Sequence, residues 1–259
     1  MTQQSRPYEF AQRIGGGSGL LTGWVGIPDP ISAGHLARED FDAIVLDMQH
    51  GQLDLASTIG CIAQVALAGK PSIVRVPVGD FATASQVLDA GAMGIIAPMI
   101  NSAEDARRLA AFTKYAPLGE RSWGPGIALN MHGVSPASYL SGANAATLVF
   151  PMIETIGALA ALDEILSVDG IDGVFLGPYD LSIALSGGTL DPTHADVEKA
   201  IDSVAERCRS HGKRAVAMAG SGARARHFIA KGYDLIAVGP DSAQLREGAR
   251  INIEAARRA

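Results

Sequence analysis

Five residues of this 259-residue chain have types and positions that could serve one piece of chemistry. Asp47 and His50 lie three apart in "VLDMQHG", where an apolar run ends. They fit a metal-binding pair, a proton-transfer pair or a polar turn. Arg75 sits inside "IVRVP", Glu154 in "FPMIET" and Asp180 in "LGPYDLS". Each has a purely structural reading. Asp180 could cap a helix starting at Leu181, and Glu154 could answer a helix dipole. Arg75 could form a structural ion pair, and His50 could be a satisfied loop histidine. Gathered at one place, however, these groups must offset a large desolvation cost. Glu154 and Asp180 would repel, so one would tend to hold a proton. A divalent cation removes that conflict. All-oxygen ligation suits Mg²⁺ or Mn²⁺, which keep water ligands and leave room for a chelating substrate. Co²⁺ and Zn²⁺ are the further options, and nothing in the chain calls for an organic cofactor. With Glu154 and Asp180 on the metal, His50 moves into proton transfer and Asp47 stands behind it.

Such a gathering needs a frame that brings distant segments to one end. The chain supplies eight short apolar runs: "GWVGI" (23–27), "DAIVLDM" (42–48), "SIVRVP" (72–77), "GIIAPM" (94–99), "TLVFPMIE" (147–154), "GVFLGP" (173–178), "RAVAMA" (214–219) and "LIAVGP" (235–240). They lack strict polar alternation, as strands covered on both faces do. Helical patterns lie between them. "DLASTIGCIAQVALAGK" opens on an aspartate cap and closes on glycine. Eight strands alternating with helices predict a single (β/α)₈ TIM barrel over residues 1–259, with a doubly wound open sheet as the alternative. A helix at about 5–20 and another at about 241–259, exchanged or packed on another subunit, complete the expected domain. In a barrel the active site lies at the C-terminal strand ends. The second, third, fifth and sixth runs deliver the charged residues there. One connection, residues 116–146, is long enough to be functional or to hold a short helix, and it contains His132.

Composition narrows the classes. The chain is 47% hydrophobic and 19% charged, as a globular protein is, and its net charge is −6 with no basic block. Nucleic acid and anionic membrane surfaces are therefore poor partners. No apolar run reaches the length of a membrane span, and the first residues lack a signal-peptide core. A cytoplasmic location is the expectation. Cys61 and Cys208 sit in helix-like stretches without metal-ligand spacing and read as buried thiols. "GGGSG" (15–19) reads as a turn, and "AGSGAR" (219–224) is a modest phosphate-binding candidate.

Taken together, "LDMQHG", "VRVP", "VLDAGAMGIIAPM", "PLGERSWGP", "MIET" and "DGVFLGPYDLS" resemble the HpcH/HpaI family of class II pyruvate aldolases, from about residue 20 to residue 250. The resemblance implies that Glu154 and Asp180 are metal ligands and that His50 is a base acting through water. It implies that Arg75 stabilises an enolate-like transition state and that Asp89 of "VLDAG" raises the basicity of His50, with Asp47 as an acidic neighbour. The backbone of Tyr179 and Asp180, in Gly177, Pro178, Tyr179, Asp180, would hold the pyruvate carboxylate. Two departures bear on the substrate. Met152 stands where a glutamine is common, and Tyr179 where alanine or asparagine is common. Arg121 of "RSWGP" would contact an anion or acceptor group, across a subunit boundary in a hexamer.

The expected reaction is reversible aldol cleavage of a 4-hydroxy-2-oxo acid into pyruvate, or a substituted pyruvate such as hydroxypyruvate, and an aldehyde. No lysine falls at a strand end, and Lys70 is at the opposite end, which argues against a Schiff base. The alternatives are a citrate-lyase-type CoA-ester lyase, a synthase or decarboxylase with the same site, and a barrel that binds 2-oxo acids without catalysis.

Overall fold

The structure, a computed structural model, describes residues 9–258. Eight parallel strands among them close into a barrel in chain order. They are β1 Leu20–Val25, β2 Ala43–Asp47, β3 Ser72–Arg75, β4 Gly94–Ala97, β5 Leu148–Ile153, β6 Gly173–Leu176, β7 Arg214–Met218 and β8 Leu235–Pro240. The sheet closes where Leu20 pairs with Leu235, so the expected TIM barrel forms and the open sheet does not. Val45, Ile73, Ile96, Phe150, Phe175 and Val216 point into the barrel and pack as one cluster. Ile44, Leu46, Val74, Ile95 and Leu176 join the larger cluster shared with the helices. Covering both faces of every strand is what makes the runs read as continuously apolar.

Helix starts follow the side-chain caps in the sequence. Asp54, Asp80, Ser102 and Thr155 each accept a backbone N–H at the head of Leu55–Leu67, Phe81–Asp89, Ala103–Thr113 and Ile156–Ala160. His194 caps Ala195–Ser210 in the same way. One helix was not anticipated, Pro30–Leu36, capped by Asp29, and the helix considered from Leu181 starts three residues earlier, as Pro178–Ser186. The long connection holds two more, Gly126–His132 and Pro136–Ala146. Their buried faces form a small separate cluster of Tyr115, Ala128, Tyr139 and Ala143.

Two expected boundaries move. Within the described residues, the helix expected at about 5–20 is only Phe10–Arg13, because Gly15, Gly16 and Gly17 take positive φ and turn the chain. The residues before 9 lie outside the described part. Phe10, Ala11 and Ile14 plug the lower end of the barrel. The first strand begins three residues earlier than expected and ends at Val25, since the N–H groups of Gly26 and Ile27 turn to the Asp241 carboxylate instead of a neighbouring strand. The C-terminal helix runs Asp241–Arg257 and buries none of its residues. No helix of the described residues is long and apolar enough to cross a membrane. Cys61 and Cys208 are free and buried.

The lower end carries a repeated device. Asp42, Asp172 and Asp234 each stand just before a strand and accept the N–H of Leu21, Val149 and Ala215 on the strand before it, at 3.0, 2.9 and 2.9 Å. Lys114, almost fully buried, donates to Asn144 O at 2.8 Å, Thr147 O at 2.6 Å and Asp172 Oδ2 at 2.8 Å. Lys70 caps Phe41 O at this same end, away from the upper rim.

Candidate active site

At the C-terminal end of the strands lies a cavity of about 540 Å³. Trp24, Asp47, His50, Arg75, Met152, Phe175, Gly177, Pro178, Tyr179 and Asp180 all line it. Asp47 and Arg75 are register partners on β2 and β3. Pairing in the sheet, not closeness in sequence, puts them side by side. Asp47 takes Arg75 Nε at 2.8 Å and Nη2 at 2.6 Å in a bidentate fork. Trp24 Nε1 donates to Asp47 Oδ2 at 3.2 Å, and the Arg75 guanidinium lies 4.8 Å above the Trp24 ring. Burial opposes ionisation of Asp47, but the hydrogen bonds and charge of Arg75, with the N–H groups of His50 and Gln49, outweigh it and hold the carboxyl below its usual range.

Asp47 meets His50 only through the backbone: it accepts the His50 N–H at 3.3 Å. The imidazole itself is exposed and has no hydrogen-bond partner among the described residues. Asp47 thus fixes Arg75 and shapes the turn. It does not touch the ring. Gly51 holds that turn by its lack of a side chain. A Cβ there would lie 2.1 Å from Asp47 O and 3.0 Å from Gly26 Cα. Close backbone approach is the reason for glycine, and its φ is not positive.

Glu154 follows β5 and is 2% exposed. It accepts the Met99 N–H at 2.8 Å. Met99 is the one non-glycine residue described with positive φ, +58°, in the chain just past β4. Glu154 Oε2 lies beneath Gly177, where a Cβ would come within 2.9 Å of it. Burial pushes the Glu154 carboxyl above its ordinary range and the charge of Asp180 adds to this, against the pull of Met99 N–H and Arg75. Asp180 is exposed in the first turn of Pro178–Ser186. It is not the cap of that helix. The cap position is Gly177, which offers no side chain. The helices capped by aspartate, serine or threonine spend a first-turn N–H on the cap side chain, whereas no described group accepts the N–H of Tyr179 or Asp180, two residues of the cavity lining, a setting that suits an anion.

Two expected site residues lie elsewhere. Asp89 Oδ1 accepts Arg121 Nη2 at 2.6 Å, the Arg121 guanidinium lies 4.5 Å from the centre of the Tyr115 ring, and neither Asp89 nor Arg121 lines the cavity of this chain. Arg121 is 5% exposed, so within one chain it is not an open anion contact. His132 packs against Gly91, also off the cavity. Trp24 and Met99 are the residues that sequence reasoning missed. The tryptophan was one of two in the chain, in the first apolar run, and that was its only signal. Met99 acts through its backbone and carries no signal of its own.

No group of three or more histidine, cysteine or acidic side chains able to hold a metal occurs among the described residues. Asp180 on the lining and Glu154 just behind the lining residue Gly177 are still a suitable partial set. Mg²⁺ and Mn²⁺ are commonly held by one or two carboxylates plus water and substrate.

Comparison with known proteins agrees with this architecture. The profile of the HpcH/HpaI aldolase/citrate lyase family matches residues 21–248. A hydroxypyruvate/pyruvate aldolase of Rhizorhabdus wittichii is 43% identical over 242 residues, spanning 93% of this chain and 95% of that protein. A 4-hydroxy-2-oxo-heptane-1,7-dioate aldolase of Salmonella heidelberg is 34% identical over 226 residues, spanning 87% and 86%. Among solved structures, an HpcH/HpaI aldolase/citrate lyase family protein from Burkholderia cenocepacia superposes with a TM-score of 0.86 at 27% identity, covering 97% of this chain and all of that one (100%). The barrel, the residues gathered at its upper rim and this similarity along nearly the whole chain place the protein in the HpcH/HpaI aldolase/citrate lyase family, as a carbon–carbon lyase.

Proposed function

We propose that the chain is a divalent-metal-dependent aldolase that cleaves and forms 4-hydroxy-2-oxo acids, with pyruvate or hydroxypyruvate as the 2-oxo acid and an aldehyde as the other partner. The observation that carries this reading is the closeness of Glu154, buried just behind the lining residue Gly177, to Asp180 and Arg75 on the lining, with the unpaired His50 imidazole on the same lining. Glu154 and Asp180 would hold the metal, Mg²⁺ or Mn²⁺. When bound, it supplies Lewis acidity to a chelated 2-oxo acid.

The chain's own residues do the rest. The open N–H groups of Tyr179 and Asp180 receive the substrate carboxylate. His50, through a water, takes a proton from C3. Negative charge then grows on the 2-oxo oxygen, where Arg75 faces it. Asp47 occupies Nε and Nη2 of Arg75 and leaves Nη1 without a protein partner, free for that oxygen. The guanidinium is fixed before the reaction begins, so no reorganisation is needed as charge develops. The carbon so activated attacks the aldehyde carbon, the resulting C4 alkoxide takes the proton held by His50 and its water, and cleavage runs the same steps backwards.

The roles foreseen for Asp89 and Arg121 at the cavity require a second copy of the chain, since neither lines it here. The C-terminal helix supports self-association: Leu245, Ile251 and Ile253 are 67%, 54% and 50% exposed. A hexamer is the assembly we infer.

A CoA-ester lyase is the second reading. The cavity lining holds one arginine, Arg75, already paired with Asp47, and no lysine, so nothing there would grip nucleotide phosphates. The absence of lysine from the lining also fits the metal reading over a Schiff base. The test is uptake of deuterium into C3 of pyruvate in D₂O. We expect exchange with Mg²⁺ or Mn²⁺ and none with EDTA. No exchange with any divalent metal overturns the proposal.

A further inference from the structure

Tyr179 is the largest side chain on the wall formed by the ends of β6 and β7, and its position is unusual in one respect. Its phenol lies directly over Gly220. A Cβ on Gly220 would fall 2.2 Å from Tyr179 Oη and 3.4 Å from Cζ. Gly220 also has φ +78°, a conformation that glycine adopts without strain. On its other side, a Cβ on Gly239 would come within 3.2 Å of Gly220 O. Glycines thus stand two residues past β7 and next to the last residue of β8, and the ring of Tyr179 fills the space that a side chain on Gly220 would take. Its backbone is pinned from below, where Ser182 Oγ donates to Tyr179 O at 2.7 Å.

The polar end of this ring is uncommitted. Tyr179 is 39% exposed, and no described group hydrogen-bonds its hydroxyl. The lining also carries apolar or small residues, among them Ile27, Met152, Met218, Gly220 and Pro240, beside the polar Gln52, Asp180 and Ser242. Glu154 is buried beneath Gly177, whereas Tyr179 is partly exposed on the lining, with its phenol against Gly220. A ligand held beside Gly177 and Asp180 has this ring as its neighbour on the Gly220 side.

We propose that Tyr179 is a specificity-determining residue for the aldehyde: its hydroxyl hydrogen-bonds a hydroxyl next to the aldehyde carbonyl, and its ring limits bulk on the Gly220 side. This rests on the aldolase reading above. A site that hydrogen-bonds a substrate hydroxyl discriminates against the analogue that lacks it, because the site's polar group is then left unpaired. One such bond contributes roughly 0.5–1.5 kcal/mol, a factor of about 2 to 13.

The test compares the wild type with Tyr179→Phe and Tyr179→Ala, using pyruvate with glycolaldehyde, acetaldehyde and benzaldehyde. Each aldol rate is divided by the same variant's rate of deuterium exchange into pyruvate, which isolates the aldehyde step. Tyr179→Phe should lower the glycolaldehyde-to-acetaldehyde ratio of kcat/KM by about 2- to 13-fold, mainly through KM. Tyr179→Ala should lower it equally and should raise the relative rate with benzaldehyde, which the Phe variant should not. An unchanged ratio in Tyr179→Phe overturns the hydroxyl contact. An unchanged benzaldehyde rate in Tyr179→Ala overturns the steric role. If the wild type shows no exchange and no aldol product with any metal, the aldolase reading itself fails, and the assignment of Tyr179 falls with it.

Discussion

The two ends of this barrel treat buried polarity in opposite ways. At the lower end the buried charges Lys114 and Asp234 are fully answered. Lys114 uses its three donors on Asn144 O, Thr147 O and Asp172, and Asp234 gives one oxygen to Gly17 N–H and the other to Ala215 N–H. At the upper end Asp47 and Arg75 pair with one another, but Arg75 Nη1, the His50 imidazole, Tyr179 Oη and the Asp180 carboxylate have no hydrogen-bond partner among the described residues. A fully paired network rigidifies, whereas unpaired groups around a cavity are free for a ligand. The lower end is built to stay shut and the upper end to be completed.

Four substitutions can break or sharpen that contrast, taken from the largest effect to the smallest. His50→Ala should cut pyruvate exchange by about 10²- to 10⁴-fold, the usual worth of a positioned base, and leave the melting temperature unchanged. Exchange above a tenth of wild type would remove His50 from proton transfer. Lys114→Met should do the reverse. It leaves Asp172 and two carbonyls without their donor and should cost about 3–5 kcal/mol in chemical denaturation, while exchange per folded molecule is kept. A loss of exchange without loss of stability would erase the distinction between the ends.

Asp47→Asn should touch both properties, since it uncouples Arg75 from its anchor in a buried setting. We expect about 2–3 kcal/mol of lost stability and a fall in exchange that added metal does not restore. The same pair sets a pH dependence. The folded Asp47 carboxyl titrates below its ordinary value of 3.8, so the stability it contributes is fully present above that value and is lost as pH falls through the lower folded pKa. The Asn variant should therefore lose less stability than wild type between pH 5 and pH 2. Equal losses would show that the pair does not act this way. Gly51→Ala is the smallest of the four, at roughly 1–3 kcal/mol, because the turn must open by the width of a methyl group against Asp47 O. Its effect on exchange should exceed its effect on stability, as the turn carries the imidazole.

Much of the barrel was legible because burial on both faces leaves uninterrupted apolar runs, and because caps such as Asp54, Asp80 and Ser102 are local chemistry. The first strand was displaced because "LLT" and "GWVGI" are equally apolar. Only the carboxylate of Asp241, more than 200 residues away, decides where pairing stops at Gly26. The members of the site were legible as charges that end apolar segments. Their connections were not. That Asp47 serves Arg75 and not the His50 ring follows from the β2–β3 register, and register is a tertiary fact. That Asp89 belongs to Arg121 follows from a contact with the long connection, which has no periodicity to read.

Glu154 is held by the N–H of Met99, and that donor belongs to the main chain. Of the standard side chains, proline alone would remove it. Position 99 can thus drift through many residues without releasing the carboxylate, and glycine there should relieve the positive φ at no loss to the contact. The most buried acid of the upper rim is insulated from side-chain chemistry at the residue that holds it, so the variation tolerated at position 99 should be wide, with proline missing and the β-branched residues, which the positive φ disfavours, rare.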